Sequence, residues 1–488
     1  MKLGKKYIIA IAICAFVAVA AAVAIPIIVK NAKRPKPEIK NEMATIKILN
    51  DTFELNSNDK RTTLSLESLH KDTEIVVEYE SGSAKISIDG EVLEKGAQKN
   101  LGTQEISRDN TIEILVEFEN GVKKTYLLNS LNEYFPNYKT EGQSAFDGYL
   151  YSATYSYNPS DPRFIFILDR NGNLVYYKRT KRIAFDFKKI ELEDGSVRYT
   201  YLESSGQKVK GTIITWVYCN LVVLNENFEE INRIGYKTSD EVLDIENHTY
   251  LYFADNHYIV TAYTFETDSN GNMIENCHIQ EIENGQIKWQ FESKDYPQFV
   301  ENCSLGGTNF KNNYQDYMHI NSFAFDPQDN NLVCSLRNQD ALIKIDRTSG
   351  QLVWTLGGKG DEFGLLDEQK FSKQHSAIFK EDGTIMLFDN GNQNERTRIV
   401  TLKIDQQTKT VVSFEKFDLG LYSSSMGSVR IISEANNIYG VCYGSLPSGI
   451  DHFAYEEINF DSGEYGFKFQ FVDLGLTTKM LYNLNLCK

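Results

Sequence analysis

The chain has 488 residues, of which 41% are hydrophobic and 24% are charged, which excludes a short peptide, a single small module and a disordered tail. Its formal net charge is −16, and residues 1–37 carry seven basic side chains and no acid, so the remainder holds −23. A body this acidic repels phosphate backbones, which argues against nucleic acid as a partner. The 28 Tyr and 28 Phe against 9 Pro favour β-structure.

The first predicted element is a membrane-spanning helix. Tyr7–Val29 is a run of 23 residues without a charge, and such a helix would cross the roughly 30 Å hydrocarbon core of a bilayer. A cleaved signal peptide is the alternative, with Ala20–Ala22 as its peptidase site, but its apolar core is usually only about 7–15 residues long. We expect residues 1–38 to be an uncleaved single-pass anchor and stalk in the cell membrane, with the acidic body exported to the extracellular side.

Residues 39–138 are predicted to form a β-sandwich domain. Apolar and polar side chains alternate in Thr73–Tyr79 and in Ile112–Phe118, as in strands with one buried face. The second run is followed by Asn120-Gly121, a pair that tolerates positive φ and favours a tight hairpin. No reactive set of side chains stands out in this stretch of sequence.

Residues 139–488 repeat one pattern six times. Each repeat has an alternating strand that ends at an acidic or amide turn residue: Asp169, Asn225, Glu283, Asp346, Asp405 and Asn459. These positions are 54 to 63 residues apart, about the length of one four-stranded sheet. Such a sheet cannot bury both faces alone, whereas radial stacking around an axis buries them. We therefore predict an all-β chain with a six-bladed β-propeller after the sandwich, and a pair of sandwiches is the alternative.

Three of the seven histidines recur at one place in consecutive repeats. His248, His319 and His375 lie 35, 27 and 30 residues before the next turn residue, and a polar insert at 267–272 accounts for the longest interval. Because the first strand of each blade lines the channel of a propeller, these positions converge on its axis. We expect a ring of histidines at one mouth, and a hydrogen-bonded structural role is the alternative for any one of them. His257, His278 and His452 are interpreted as structural or solvated.

Arg337 is the most informative cation in the repeat. It ends a largely apolar strand run, residues 331–337, where an arginine should be paired or functional. Its planar fork suits a tetrahedral oxyanion, so together with the three histidines it would bind and activate a group such as sulfate or phosphate. A salt bridge to Asp340 or a neighbouring carboxylate is the structural alternative.

The motifs of metal and nucleotide sites are missing from the sequence. Six of the seven cysteines lie scattered after Cys14 without a C-x-x-C pair, which argues against a zinc or iron–sulfur site. One disulfide and buried free thiols are both compatible with that spacing. The glycine-rich stretch Gly357–Gly364 has no Walker ending, and we interpret it as a loop between blades. We predict no cofactor and no metal.

The residues around Arg337 resemble the bacterial arylsulfate sulfotransferases. The similarity extends over residues 316–391 with its order preserved, and a sandwich followed by a six-bladed propeller is also that family's layout. The motifs that carry it are Asp316–Ser322, Ser335–Gln339, Ile343–Arg347, Trp354–Gly357, Gln374–Ala377 and Phe388–Gly391.

The resemblance implies a role for each candidate residue. His375 is the nucleophile that becomes transiently sulfurylated, and His319, Arg337 and His248 hold the sulfuryl oxygens and assist proton transfer. The chain departs from residues common in the family at three positions that bear on the aryl pocket: Tyr317, Asn338 and Ile378.

The expected activity is sulfuryl transfer from a phenolic sulfate ester to a phenolic acceptor by a ping-pong mechanism. Donor and acceptor are then the small-molecule partners, the membrane is a partner through the N-terminal helix, and a homodimer is a possible assembly. A membrane-anchored propeller that binds a ligand or protein without catalysis is the alternative. Hydrolysis of the sulfate ester by water would use the same residues.

Overall fold

The computed structural model describes residues 41–155, 160–207, 216–238, 242–267, 269, 271–305, 314–446, 450, 452–472 and 484–488. The predicted anchor, within residues 1–38, lies outside the described residues. In the described ranges no helix has the length and apolar character needed to cross a membrane. These ranges contain one α-helix, α1 (Gln298–Asn302), and two 3-10 helices, Ser293–Asp295 and Arg337–Gln339. The remaining regular structure is β, which confirms the all-β prediction for this part of the chain.

The chain divides into two compact units. The first contains the chain up to Leu64, Val76–Asn100 and Ile112–Leu128, and the second contains Ser65–Ile75, Leu101–Thr111 and Asn129–Lys488. The domain boundary predicted at residue 138 stays a prediction, and the division by contacts crosses between the units several times before that position. One reason is a short strand, residues 68–70, that pairs within a sheet of the second unit.

The first unit is built on two antiparallel sheets. The first ten strands of the described chain are β1 (Met43–Ile48), β2 (Asp51–Asn56), β3 (Thr63–Ser65), β4 (Ser68–His70), β5 (Glu74–Gly82), β6 (Lys85–Ile88), β7 (Glu91–Leu93), β8 (Gln98–Thr103), β9 (Thr111–Glu117) and β10 (Lys123–Asn129). Strand orders are β2-β1-β5-β8 and β3-β10-β9-β6-β7. The predicted hairpin between β9 and β10 is present, and Gly121 has a φ of +80° in its turn.

The described residues of the second unit form six successive antiparallel sheets of four or five strands, called sheets one to six. Sheet one has the order β37-β12-β13-β14-β4 and sheet two has the order β15-β16-β17-β18. The new strands are β12 (Tyr149–Ala153), β13 (Phe164–Leu168), β14 (Leu174–Arg179), β15 (Ala184–Glu191), β16 (Val197–Ser204), β17 (Cys219–Leu224), β18 (Glu230–Ile234) and β37 (Asn485–Cys487). A short ladder of β19 (Tyr236–Lys237) and β20 (Val242–Leu243) follows sheet two.

Sheets three, four and five each use four strands that are consecutive in the chain, and sheet six has the order β11-β36-β35-β34-β33. Their strands are β11 (Tyr138–Glu141), β21 (Leu251–Ala254), β22 (His257–Thr267), β23 (Met273–Glu283), β24 (Gln286–Glu292), β25 (Ile320–Phe325), β26 (Leu332–Leu336), β27 (Ala341–Ile345), β28 (Leu352–Gly357), β29 (His375–Phe379), β30 (Ile385–Asp389), β31 (Arg398–Asp405), β32 (Thr410–Asp418), β33 (Ser428–Ser433), β34 (Ile438–Cys442), β35 (Tyr455–Asn459) and β36 (Tyr465–Phe471).

The six predicted hairpin strands are all present, and each is the third strand of its sheet. The turns explain why an acidic or amide residue follows the strand. Asp346 Oδ1, for example, accepts the backbone N–H of Thr348 at 3.1 Å and of Ser349 at 2.8 Å. Asp169, Asn225, Asp405 and Asn459 accept backbone N–H groups in the same way. Glu283, with its longer side chain, makes no such bond among the described residues.

The hydrophobic core of the second unit lies between neighbouring sheets. Separate clusters of buried side chains join sheets one and two, two and three, three and four, four and five, and five and six. Sheet six in turn contacts sheet one, because the Phe166 ring lies 5.8 Å from Phe469 and 5.7 Å from Phe471 between centroids. The first strands of several neighbouring sheets also lie side by side: β37 with β15, β25 with β29, and β29 with β33.

Candidate active site

The three predicted histidines lie where the first strands of sheets three, four and five begin. His248 precedes β21 by three residues, His319 directly precedes β25, and His375 is the first residue of β29. His319 has a φ of +49° and Ser376 a φ of +53°, so the backbone is left-handed beside the second and third histidines. The ladder shifts its register between His375 and Ile378, as at a β-bulge. At these irregularities, the side chains no longer alternate between the two faces of the sheet as they do in a regular strand.

The structure brings all four predicted site residues together. The rings of His248 and His319 are 4.6 Å apart between centroids. Burial lowers the pKa of His375 well below its usual value, and the nearby charges of Arg337, His319 and His248 lower this pKa further. The expectation that these positions converge is therefore met by the geometry, while the roles assigned to them stay predictions.

Two of the histidines are each held by a carboxylate from their own loop. Glu246 Oε2 accepts the backbone N–H of His248 at 2.8 Å and lies 2.6 Å from its Nδ1. In the same way, Asp316 accepts the backbone N–H of His319 at 2.8 Å and lies 2.5 Å from its Nδ1. Because a carboxylate only accepts hydrogen bonds, the proton of each ring is on Nδ1. Burial lowers the pKa of His319, and the Asp316 carboxylate opposes that shift.

His375 is held by an amide instead. Asn390 Oδ1 lies 2.6 Å from His375 Nδ1, and Asn390 Nδ2 donates to the carbonyls of Ser423 at 2.7 Å and Met426 at 3.0 Å. Since these two carbonyls fix which end of the amide is the donor, Oδ1 must accept, and His375 carries its proton on Nδ1. Nε2 then holds the lone pair, and no described residue hydrogen-bonds to it. With its lowered pKa, His375 is a neutral imidazole suited to nucleophilic attack.

Arg337 starts the 3-10 helix after β26, one residue beyond the strand in which the sequence predicts it. Its backbone still pairs with the neighbouring strand, because the N–H of Arg337 donates to the carbonyl of His319 at 2.8 Å. Its Nη1 donates to Asn338 Oδ1 at 3.0 Å. Among the described residues no carboxylate lies within 4 Å of this guanidinium. Arg337 therefore makes no salt bridge to Asp340, which pairs with Lys373 at 3.5 Å.

A cavity of about 140 Å³ lies beside His248 and His375. It is about as large as an engineered cavity that accommodates benzene, roughly 150 Å³. Its wall is contributed by the first strands of all six sheets or the residues just before them. Apolar side chains, polar groups and charged groups line it: Tyr250, Phe323, Ile378, Met426, Asn321, Ser428, Asp186, Lys188 and Arg430.

Sequence reasoning missed the groups that hold the histidines. Asp316 and Asn390 stand inside motifs that resemble the family, and Glu246 precedes His248 by two residues, so a search for acceptors near each histidine would have found two of them. It also missed Lys188 and Arg430, which belong to no motif.

The other histidines and the cysteines lie outside this arrangement. His257 Nε2 bonds Glu281 at 2.7 Å, His278 Nε2 bonds Thr264 Oγ1 at 2.7 Å, and His452 Nδ1 bonds the carbonyl of Phe453 at 2.9 Å, which confirms their structural interpretation. The six described cysteines are free thiols, and five of them are buried. In the part of the chain that the structure describes, no three His, Cys, Asp or Glu side chains cluster as metal ligands would.

The family model described as Arylsulfotransferase (ASST) matches residues 136–482. The chain belongs to the arylsulfotransferase family. The match contains His248, His319, Arg337 and His375, and it confirms the resemblance drawn from residues 316–391. Membership in the family supports arylsulfotransferase activity in general, with small aryl molecules as substrates.

Three solved structures illustrate the distant similarity between this family member and known folds. A protein of unknown function from Bacteroides caccae is 12% identical, with a TM-score of 0.39, over 69% of this chain and 98% of that one. Virginiamycin B lyase from Staphylococcus aureus is 11% identical, with a TM-score of 0.31, over 69% and 99%. The Dos1 propeller is 9% identical, with a TM-score of 0.33, over 76% and 70%. No curated protein matches the chain.

Proposed function

We propose that this protein transfers a sulfuryl group from a phenolic sulfate ester to a phenolic acceptor through a covalent intermediate on His375. One observation carries the proposal: Asn390 keeps the proton of His375 on Nδ1, which leaves the lone pair on Nε2. A neutral imidazole with a lowered pKa is ready to react at neutral pH without a separate base.

In the first half-reaction, the Nε2 lone pair of His375 attacks the sulfur of the donor ester. An N–S bond forms while the bond between sulfur and the aryl oxygen breaks, and the oxygen leaves with the bonding electrons as a phenoxide. The conjugate acid of an unsubstituted phenoxide has a pKa of about 10, so a nearby proton donor helps it leave. The Nδ1 proton stays on the ring, and Asn390 Oδ1 stabilises the positive charge that the imidazole acquires.

Arg337 supplies positive charge for this step, and His319 and His248 donate hydrogen bonds to the sulfuryl oxygens when Nε2 of each ring carries a proton. The sulfuryl group carries negative charge on three oxygens, as a transferring phosphoryl group does, and fixed cations and hydrogen-bond donors stabilise it. Arg337 has no carboxylate within 4 Å among the described residues, so its fork is available to these oxygens. The carboxylate of Asp316 favours the protonated imidazole of His319, and a protonated Nε2 can pass its proton to the leaving phenoxide.

In the second half-reaction, a different phenol takes the place of the first product. The histidine that gave up its proton accepts the phenolic proton, and the phenol oxygen attacks sulfur as the N–S bond breaks. The electrons of that bond return to Nε2 of His375. Each half-reaction is the reverse of the other in form, so one set of residues serves both.

The proposed architecture is a six-bladed β-propeller for the second unit and a β-sandwich for the first. The contacts from each sheet to the next, and from sheet six to sheet one, support six blades around an axis. That arrangement explains why the starts of separate first strands share one cavity. We also propose that Tyr7–Val29 anchors the protein in the cell membrane with its body exported, on the evidence of its uncharged sequence alone. Protease accessibility on intact cells tests that orientation.

The test follows nitrophenolate release from 4-nitrophenyl sulfate by the full-length protein, with and without added phenol. We expect phenol to accelerate release, initial rates to give parallel double-reciprocal lines, and intact-protein mass spectrometry to detect one added sulfuryl group after donor alone. Intersecting lines without an adduct would refute the covalent mechanism. A rate of nitrophenolate release that is the same with and without phenol would indicate a hydrolase. No release from several aryl sulfates would favour a non-catalytic binding protein.

A further inference from the structure

The cavity beside His375 contains two cations that the proposed reaction does not use. Lys188 of β15 and Arg430 of β33, here called the cation pair, line the same cavity as His248 and His375. They come from sheets two and six, whereas the histidines come from sheets three to five. Their position makes them candidates for contact with a part of the substrate other than the sulfuryl group.

Arg430 is held one residue away from His375. Its Nη1 donates to Ser376 Oγ at 2.7 Å and to the carbonyl of Val429 at 2.9 Å, and its Nη2 donates to Asn485 Oδ1 at 3.3 Å. Ser376 directly follows His375 in β29. The guanidinium is therefore fixed within the cavity wall and close to the reacting ring.

Lys188 is held by a carboxylate and an aromatic ring. Its Nζ lies 2.8 Å from Asp186 Oδ2 and 3.8 Å from the centroid of the Tyr250 ring. The other carboxylate oxygen, Asp186 Oδ1, accepts a hydrogen bond from Asn485 Nδ2 at 2.9 Å. Asn485 thus bonds both Asp186 and Arg430 and connects the two cations in one network.

Among the described residues that line the cavity, cationic side chains outnumber carboxylates. The described lining has two cationic side chains, Lys188 and Arg430, and one carboxylate, Asp186. A guanidinium keeps its charge even when it is buried. An excess of positive charge in a cavity wall favours a bound anion, and a carboxylate matches the donors of lysine and arginine.

The rest of the cavity wall suits an aromatic ring. Phe323, Ile378 and Met426 provide apolar surface, and the volume of about 140 Å³ admits about one ring. We propose that the cation pair binds the carboxylate of phenolic acids, so that the preferred acceptor is a phenol carrying a carboxylate substituent, with its hydroxyl at His375. This inference rests on the proposed sulfuryl transfer and names the class of its acceptor.

The first test compares three ligands that share one phenol and differ only in the charge of the side group. The probes are 4-hydroxyphenylacetate, its methyl ester and 4-hydroxyphenethylamine, and calorimetry on the full-length protein measures their affinities without turnover. We expect the carboxylate to bind about ten-fold more tightly than the ester, and the ester more tightly than the amine. Equal affinity of the carboxylate and the ester would overturn the inference.

The second test removes one member of the cation pair. We expect Lys188→Met to lower the carboxylate-to-ester affinity ratio about ten-fold, and Lys188→Arg to keep most of that ratio because the charge stays. Lys189→Met is the matched control: it is the next residue of β15, and its Nζ donates to the carbonyl of Lys488 at 2.6 Å. A ratio unchanged in Lys188→Met, or lowered equally by Lys189→Met, would refute the assignment.

Two further measurements separate this inference from the proposed function. Transfer of the sulfuryl group to 4-methylphenol tests the reaction with an acceptor that has no anionic group. If 4-methylphenol accepts the sulfuryl group while 4-hydroxyphenylacetate binds no more tightly than its ester, only the inferred acceptor class is wrong. If the carboxylate binds selectively but no phenol accepts, the sulfuryl transfer is wrong and the anion site stands. Weaker binding of phenyl sulfate to Lys188→Met, with an unchanged ratio, would mean that the pair serves the sulfuryl group instead.

Discussion

Side chains that can change their charge lie on one part of the cavity wall, and side chains of fixed charge lie on another. His375 keeps Nε2 without a partner among the described residues, so that atom is available to form and break a bond. Arg430 instead donates hydrogen bonds to Ser376, Val429 and Asn485, which fix its guanidinium in the cavity wall. The difference is consistent with the two proposals: the histidines carry out the reaction, and the cation pair binds the substrate.

The histidines themselves differ in the group behind the ring. The carboxylate of Asp316 favours a protonated His319, whereas the amide of Asn390 gives His375 an acceptor without a negative charge. An acid and a nucleophile can therefore be made from the same side chain by changing one neighbour. Four predictions test this comparison, in order of decreasing expected effect.

Replacement of the nucleophile should have the largest effect. We expect His375→Gln to lower kcat by about 10⁴-fold or more, because no other group can form the covalent intermediate. Steady-state release of nitrophenolate with phenol present measures the loss. His257→Gln, at a histidine bonded to Glu281 outside the site, is the control and should retain activity. A sulfuryl adduct that persists in His375→Gln would contradict the assignment.

Arg337→Lys should lower kcat/KM for the donor by about 10²–10³-fold. Lysine keeps the charge but loses the planar fork that meets two sulfuryl oxygens at once. Initial rates at low donor concentration measure this value. Arg347→Lys is the control, since the Arg347 guanidinium pairs with the Glu281 carboxylate, which holds His257 outside the site. If both variants had the same rate, a binding role of the Arg337 fork would be disproved.

Asp316→Asn should reveal the proton donor through the leaving group. Without the carboxylate, the pKa of His319 falls further, and fewer molecules carry the proton that the phenoxide needs. We expect about a 10²-fold loss with phenyl sulfate and a much smaller loss with 4-nitrophenyl sulfate, whose product is a weaker base. Equal losses with both donors would show that Asp316 supports the fold and not proton transfer.

The smallest effect is a displacement of the pH profile. Because the pKa of His375 lies well below the usual 6.5, the ring stays neutral as the pH falls through 6.5, and kcat/KM should decline only at a lower pH. In Asn390→Asp, a carboxylate beside Nδ1 raises the pKa of His375, so the acid limb should move to higher pH. A profile of kcat/KM for both proteins measures this. A wild-type acid limb at or above 6.5 would show that His375 is not the neutral nucleophile.

Local patterns in the sequence predicted the strands and the histidines well, for a physical reason. Each turn residue, such as Asp346, bonds N–H groups two or three positions away, so the signal and the structure lie in the same short segment. The histidines could be placed at the starts of first strands because their distance to those turns is set by the length of the sheet. The prediction for Arg337 differed by one position, because β26 ends at Leu336 and Arg337 follows it.

Features that depend on distant segments could not be predicted in this way. The tautomer of His375 depends on the loop carbonyls of Ser423 and Met426, and nothing beside His375 in the sequence reveals them. The cation pair depends on Asn485, which is remote from both Lys188 and Arg430. Strand β4 has three residues and no strong pattern, so its pairing with β14 is visible only in three dimensions.

Because of strand β37, the two parts of the cavity wall should form at different times during folding. The three histidines and the groups that hold them lie between Glu246 and Met426 in the chain, so sheets three to five can assemble from segments that are near in sequence. The network around Asp186 is completed by Asn485, on a strand that pairs with β12 at the other end of the second unit. Pairings of such high contact order form slowly, because a long loop must close first. Molecules newly made on the ribosome should therefore gain their nucleophile before they gain the ability to select an acceptor.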